Sequence, residues 1–465
     1  MSDIAFQPLT VVAARIKSGA ISPVEVTEAV LSQVEKLNSR LTAYWTVTAD
    51  LAREQAKQAE AEIAAGRYRG PLHGIPMAVK DLCFTKGIKT TGGMKIYEDF
   101  VPDHDATVVV NLRNAGAVLI GKLHMTEGAT LEHHPDFTEP VNPWKEDLWT
   151  GVSSSGSGIA PATGMAYCTI GSDTGGSIRF PSACNNLTGV KPTWGRVSRY
   201  GIFDLAETFD HLGPMARSAA DAAAMLEVLA GHDPLDPTSL NEPVPDYLGL
   251  LDGAFGARGV TIGIPRDYIE KDADPETVAC LMAAVKELEG VGARGMDCGF
   301  PDVDTFLDKA MSLTMIEMAA VHADTYPKQS NMYGQWIREG IEAGMAANPI
   351  DVANGVIERK KFTGALTDLL DGVDMIAIPV FQYGTPTWDE VRAQQEGGSR
   401  ALFRFTSPFN ASGVPSVTLP CGMTADGRPI AFQLIGTYGT EAKLLRTAHA
   451  YQQVTDWHTA KPPVH

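Results

Sequence analysis

Hydrophobic positions change period along this chain, and the changes mark out its elements. Val26, Val30, Val34 and Leu37 recur three or four residues apart, the spacing that places side chains on one face of a helix. Ser22-Pro23-Val24-Glu25, just before them, reads as a capping box with proline at the first helical position. An Ala/Glu/Gln/Lys-rich stretch from Leu51 to Ala65, closed by Gly66, predicts a second helix, and Ala106 to Ala115, closed by Gly116, a third. Between and after them stand short unbroken apolar runs of strand length: 75–79, 117–120, 167–170, 375–378, 416–419 and 430–434. Such runs suit strands covered on both sides. The pattern therefore predicts an α/β protein with a large mixed, mostly parallel twisted sheet and helices on both faces. The Asp- and Pro-rich stretch 232–248 reads as a surface connection, and no internal repeat or low-complexity segment is evident.

Composition narrows the field. A chain of 465 residues, 44% of them hydrophobic, can bury a large core. Its formal net charge of −18, with no block of Lys or Arg, argues against an electrostatic grip on nucleic acid or an anionic membrane and favours small neutral substrates. Cysteines 83, 168, 184, 280, 298 and 421 are scattered, with neither a CxxC pair nor metal-ligand spacing, which suits a reducing compartment. Met1 to Gln7 lacks the basic and apolar regions of a signal peptide, and no apolar run has membrane-spanning length, so a cytoplasmic location is expected.

Three places could carry chemistry. Gly171-Ser-Asp-Thr-Gly-Gly-Ser177 puts two glycines before a serine, and their backbone N–H groups can turn toward one point beside its hydroxyl, where an oxyanion could sit. Gly151-Val-Ser-Ser-Ser-Gly-Ser-Gly158 could be a flexible loop or an anion nest before a helix. Lys80 closes the apolar run Ile75-Pro-Met-Ala-Val-Lys80. Alone it reads as a strand-end lysine reaching solvent or paired with Asp81, yet an apolar setting would lower its pKa and make it a base. A phosphate cradle is disfavoured because no GxxxxGK[ST] occurs. Absence of a G-x-S-x-G elbow disfavours an α/β-hydrolase with a histidine base. His124, Glu127, Glu132, His133 and His134 are the nearest approach to a metal cluster; no HExxH is present and no metal is expected.

Taken together, Gly74-Ile-Pro-Met-Ala-Val-Lys80-Asp81, Gly121-Lys-Leu-His-Met125, Asn142-Pro-Trp144, Ser153-Ser154, Gly171 to Pro181 and Gly189-Val-Lys-Pro-Thr-Trp-Gly-Arg-Val-Ser resemble the amidase signature family. The likeness runs on through Phe409 to Pro415, Pro420-Cys-Gly422 and Phe432 to Gly436, so it covers nearly the whole chain. It implies one domain over 1–465: an N-terminal helical part (1–66), a signature core (67–220), and the remaining sheet with its covering helices (221–465).

The same resemblance implies roles. Ser177 would be the nucleophile, Ser153 a bridging serine behind a cis peptide bond, and Lys80 the base acting through Ser153. The amides of Thr174, Gly175, Gly176 and Ser177 would hold the oxyanion, and Asp173 with Arg179 would buttress the loop. No cofactor is implied. Met125, Ser154, Tyr200 and Phe381 are the expected substrate-binding residues, and segments 125–135, 200–203 and 381–383 with Trp336 the expected pocket walls. The activity implied is hydrolysis of a carboxamide, with room for anilides, esters or carbamates, on a small-molecule substrate and with a homodimer allowed. An alternative is the glutaminase subunit of a tRNA-dependent amidotransferase. Glu317 to Tyr326 lacks that subunit's Ser-Ser-Asn-Leu-Ala-Arg-Tyr-Asp-Gly-like segment and resembles stand-alone members. A non-catalytic binding protein is disfavoured by the intact Lys80, Ser153 and Ser177. The sequence departs from the family at Val152, Ser155, Ser172 and Cys184-Asn185-Asn186, near the serines or beneath the cleft, where a changed side chain would reshape the pocket.

Overall fold

The structure, a computed structural model, describes residues 4–252, 256–396 and 400–464; Met1 to Asp3, part of the leader reading, lie outside them. The helix Pro23–Leu41 starts where the capping box places it. Ser22 Oγ accepts from the Val24 amide at 3.0 Å, and Val26, Val30, Val34 and Leu37 are all buried. The second and third predicted helices are Ala49–Ala64 and Thr107–Asn114.

Eleven strands join one sheet among the described residues. They are β1 (Tyr44–Val47), β2 (Pro76–Lys80), β3 (Val118–Leu123), β4 (Cys168–Asp173), β5 (Thr188–Lys191), β6 (His211–Ala216), β7 (Thr261–Ile264), β8 (Arg294–Asp297), β9 (Met375–Pro379), β10 (Ser416–Met423) and β11 (Pro429–Ile435). Their spatial order is β1-β3-β2-β4-β6-β5-β10-β11-β9-β7-β8. All six predicted runs lie in strands. β1, β5, β6, β7 and β8 were not signalled: they are short or, like β6 with Gly213 and Pro214, interrupted by residues that usually break strands.

The sheet is mixed, but less parallel than expected. Parallel pairings join β3, β2 and β4 at one side and β9, β7 and β8 at the other. Between them β4, β6, β5, β10, β11 and β9 pair antiparallel, as do β1 and β3. An unbroken apolar run reports burial on both faces and carries no information about strand direction. Here a tight turn, with the Thr424 amide donating to the Arg428 carbonyl, folds β10 straight back into β11.

Two apolar clusters fill the interior. The larger follows the sheet. The smaller gathers Trp149, Val152, Phe180, Phe381 and Leu402 beside Trp336, Trp388 and Phe403. The stretch 232–248 is irregular, as expected, and is tied down by Asp233, whose carboxylate accepts from Thr107 Oγ1 and Ser198 Oγ at 2.6 Å each.

Candidate active site

β2 and β4 run side by side, with Val79 opposite Ile170, and this brings Lys80 at the end of one strand to Ser172 on the other. Lys80 is fully buried, with Nζ 2.6 Å from Ser153 Oγ and 2.8 Å from Ser172 Oγ. Desolvation lowers its pKa from 10.5 to about 7, outweighing the attraction of Asp210 and Asp173. Among the described residues no carboxylate forms an ion pair with it. Asp81, its sequence neighbour, instead faces Lys122 on β3, 3.2 Å away, and accepts from the Thr91 amide and hydroxyl.

Ser153 lies just before the helix Ser155–Ala162, and the Val152–Ser153 peptide is cis. Ser154 Oγ is engaged with the Ser172 backbone, at 3.2 Å from its carbonyl and 3.3 Å from its amide.

Ser177 sits in the loop between β4 and the helix Arg179–Cys184. Its side-chain oxygen makes no hydrogen bond among the described residues, and the residue is 9% exposed, at the floor of a cleft. The loop is anchored from below. Asp173 accepts from the Ile178 and Arg179 amides at 3.0 and 3.3 Å, from Arg179 Nε and Nη2 at 3.0 and 2.9 Å, and from Asn410 Nδ2 at 2.8 Å. Burial works against ionisation of Asp173, but the Arg179 guanidinium beside it holds the carboxyl well below the usual range.

The four amides from Thr174 to Ser177 have no acceptor among the described residues. They are donors without a partner beside the cleft that Thr174, Gly175 and Ser177 line, which is the provision an oxyanion requires. Gly176 has φ +149°, and a Cβ there would meet the Phe180 ring at 2.5 Å, so the loop needs glycine at this point.

The cleft holds about 120 Å³, and its walls include Leu131, Leu205, Trp336 and Phe403. Trp336 and the 125–135 segment, through Ala129, Thr130 and Leu131, therefore stand where expected. The four individually named substrate-binding residues do not line it. Met125 is in the main core, Ser154 is committed to Ser172, and Phe381 stacks on Phe180 (centroids 5.2 Å apart) beneath the cleft. Tyr200 packs on His104 in another loop. Nearness in sequence to a motif does not fix the side of the backbone on which a residue projects.

The histidine-rich loop is inward-facing. His124 and His133 have ring centroids 5.3 Å apart, and burial lowers both pKa values, that of His124 to about 4. Glu127 accepts from the Gly334 amide, and burial raises its pKa to about 7. No group of three His, Cys, Asp or Glu side chains suited to a metal occurs among the described residues. Sequence reading missed Ser172 as the second partner of Lys80, and Asp210, which accepts from Thr174 Oγ1 at 2.5 Å. Ser172 stood inside the Gly171–Ser177 motif, where strand pairing with β2 could have signalled it.

The fold and this site together define a class: the chain belongs to the Amidase family, whose profile matches residues 25–445. It is 43% identical over 462 residues to the protein named as amidase AmiD of Mycobacterium tuberculosis, covering 98% of this chain and 96% of that one. It is 37% identical over 482 residues to a glutamyl-tRNA(Gln) amidotransferase subunit of Geobacter metallireducens, covering 96% and 97%. Among solved structures, 6-aminohexanoate cyclic dimer hydrolase superposes with a TM-score of 0.89 at 27% identity, over 99% of both chains. No helix among the described residues is long and apolar enough to cross a membrane.

Proposed function

We propose that this protein hydrolyses a carboxamide C–N bond through an acyl-enzyme on Ser177, with Ser153 and Lys80 as the proton relay. The observation that carries the reading is the buried lysine within 2.6 Å of Ser153, its pKa brought to about 7 by desolvation. A neutral amine can accept a proton from Ser153 while donating to Ser172 Oγ, and Ser153 in turn takes the proton of Ser177. Ser177 Oγ then bonds to the carbonyl carbon, and the developing oxyanion is met by the amides of Thr174 to Ser177. As the C–N bond breaks, the relay returns the proton to the leaving nitrogen, releasing the amine. Water attacks the resulting ester, giving its proton to the relay. The acid leaves with Ser177 restored. A substrate held with its carbonyl over the loop would close the gap from Ser153 to Ser177, because apo-state catalytic hydrogen bonds are often loose.

The reading is of a stand-alone amidase on a small-molecule substrate. The 37% identity to an amidotransferase component favours a second reading, a glutaminase that passes ammonia to a partner. One experiment separates them. The purified chain alone should turn over simple amides, and brief incubation with substrate should add the acyl mass to a peptide containing Ser177. Glutaminase activity that appears only with a second protein and charged tRNA would favour the second reading.

A further inference from the structure

We infer that the cleft selects neutral, apolar acyl groups and rejects charged ones such as glutamine, and that a methionine face on the helix Val303–Val321 sets this preference. The inference rests on the cleft over Ser177 being the substrate site.

Met311, Met315 and Met318 recur at helical spacing, so they share one face of that helix, and all three line the same cleft as Ser177. Trp336 and Phe403 complete an apolar surround. Among the described residues no charged side chain lines the cleft. Charges on the methionine helix are committed elsewhere. Glu317 accepts from the Thr208 amide and hydroxyl at 2.9 and 2.6 Å, and Asp304 is held by Lys271 and Arg404.

The depth of the wall is set by the next helix, Gln335–Ala346. A Cβ on Gly340 would lie 2.3 Å from Met318 Cε, and one on Gly344 would lie 2.1 Å from the Met315 carbonyl oxygen. Two glycines one turn apart thus let the methionine helix seat closely against its neighbour. A larger residue at either would displace the wall.

Glutamine would bring an ammonium and a carboxylate into this cleft, and neither would find an opposite charge to replace its lost hydration. Of the lining hydroxyls, Thr174 Oγ1 is already bonded to Asp210 and Thr130 Oγ1 to the Glu127 carbonyl, and those of Thr314, Ser407 and Ser177 are neutral groups that cannot balance a charge. Methionine adapts its shape and packs well on aromatic rings, so the cleft should be tolerant of acyl shape while strict about polarity.

The test compares hexanamide, acetamide and glutamine on the full-length protein. Wild type should show kcat/KM for hexanamide at least about a hundredfold above that for glutamine, the scale on which sites discriminate by desolvation. Met311→Ala and Met315→Ala should each lower the hexanamide-to-acetamide ratio about tenfold, because only the longer chain reaches the wall. Calorimetric binding to Ser177→Ala protein provides a readout independent of turnover: hexanamide should bind at least about tenfold more tightly than glutamine. Equal or tighter binding of glutamine would overturn the inference whichever residue is the nucleophile, as would an unchanged hexanamide-to-acetamide ratio in both methionine variants. Full activity in Ser177→Ala would instead overturn the catalytic assignment, leaving the binding comparison to decide this one.

Discussion

Lys80 Nζ stands 2.6 Å from Ser153 Oγ, while Asp81, the next residue, turns to Lys122 across the neighbouring strand. Had Asp81 paired with Lys80, the amine would have stayed charged and been useless as a base. Because successive strand residues point to opposite faces, a Lys-Asp dipeptide becomes two separate sites: a charged pair on one side and a lone amine on the other.

The lone amine predicts a pH profile. Burial favours its neutral form, and only that form can take a proton, so activity should be lost on the acid side. Below about pH 7, kcat/KM should fall about tenfold per unit and level off above it, because the neutral fraction of a single base shrinks by that factor. Initial rates between pH 5 and 9 would check this, and a profile flat through pH 6 would exclude Lys80 as the base.

Ser177, Ser153 and Lys80 should fail as a unit. Ser177→Ala or Lys80→Ala should lower kcat by at least about a thousandfold, with the double variant little worse than either single one. Circular dichroism would establish folding before the rates are compared; additive losses would mean that the residues act independently.

Removing one partner of the buried Arg179–Asp173 pair leaves the other charge without compensation. Arg179→Met should cost about 3–5 kcal/mol, read as a lower urea midpoint. The pair also gives a sign for acid stability. Its carboxyl is depressed in the folded state, so its contribution is present above the unfolded value of about pH 3.9 and declines as pH falls toward the folded one. Arg179→Met protein should show a flatter loss of stability between pH 5 and 2 than wild type.

Gly176→Ala tests the loop directly. The added methyl would meet the Phe180 ring in a backbone conformation that side chains rarely adopt. The variant should lose about 1–3 kcal/mol of stability and, if the amides of this loop meet the oxyanion as proposed, at least about tenfold in kcat. Thermal unfolding and steady-state rates on the same preparation would separate the two effects.

Much of this was legible in the chain. The capped helix at Pro23 and the six apolar runs are local signals, fixed by spacing and by burial on both strand faces, and they survive in the structure. The Gly-Gly-Ser loop is local too, since Gly176 has φ +149°, a conformation that other residues rarely adopt. Strand direction, the five weaker strands and the lining of the cleft were not legible. Each depends on residues far apart in sequence: Lys80 meets Ser172 only through the pairing of β2 with β4, and Met315 and Met318 line the same cleft as Ser177 on a helix that packs closely against two glycines of another helix. Local pattern specifies which residues are buried and where the backbone must turn. Which buried face meets which is decided by packing across the whole sheet, and the sequence records that only as volumes and small residues whose partners the fold must supply.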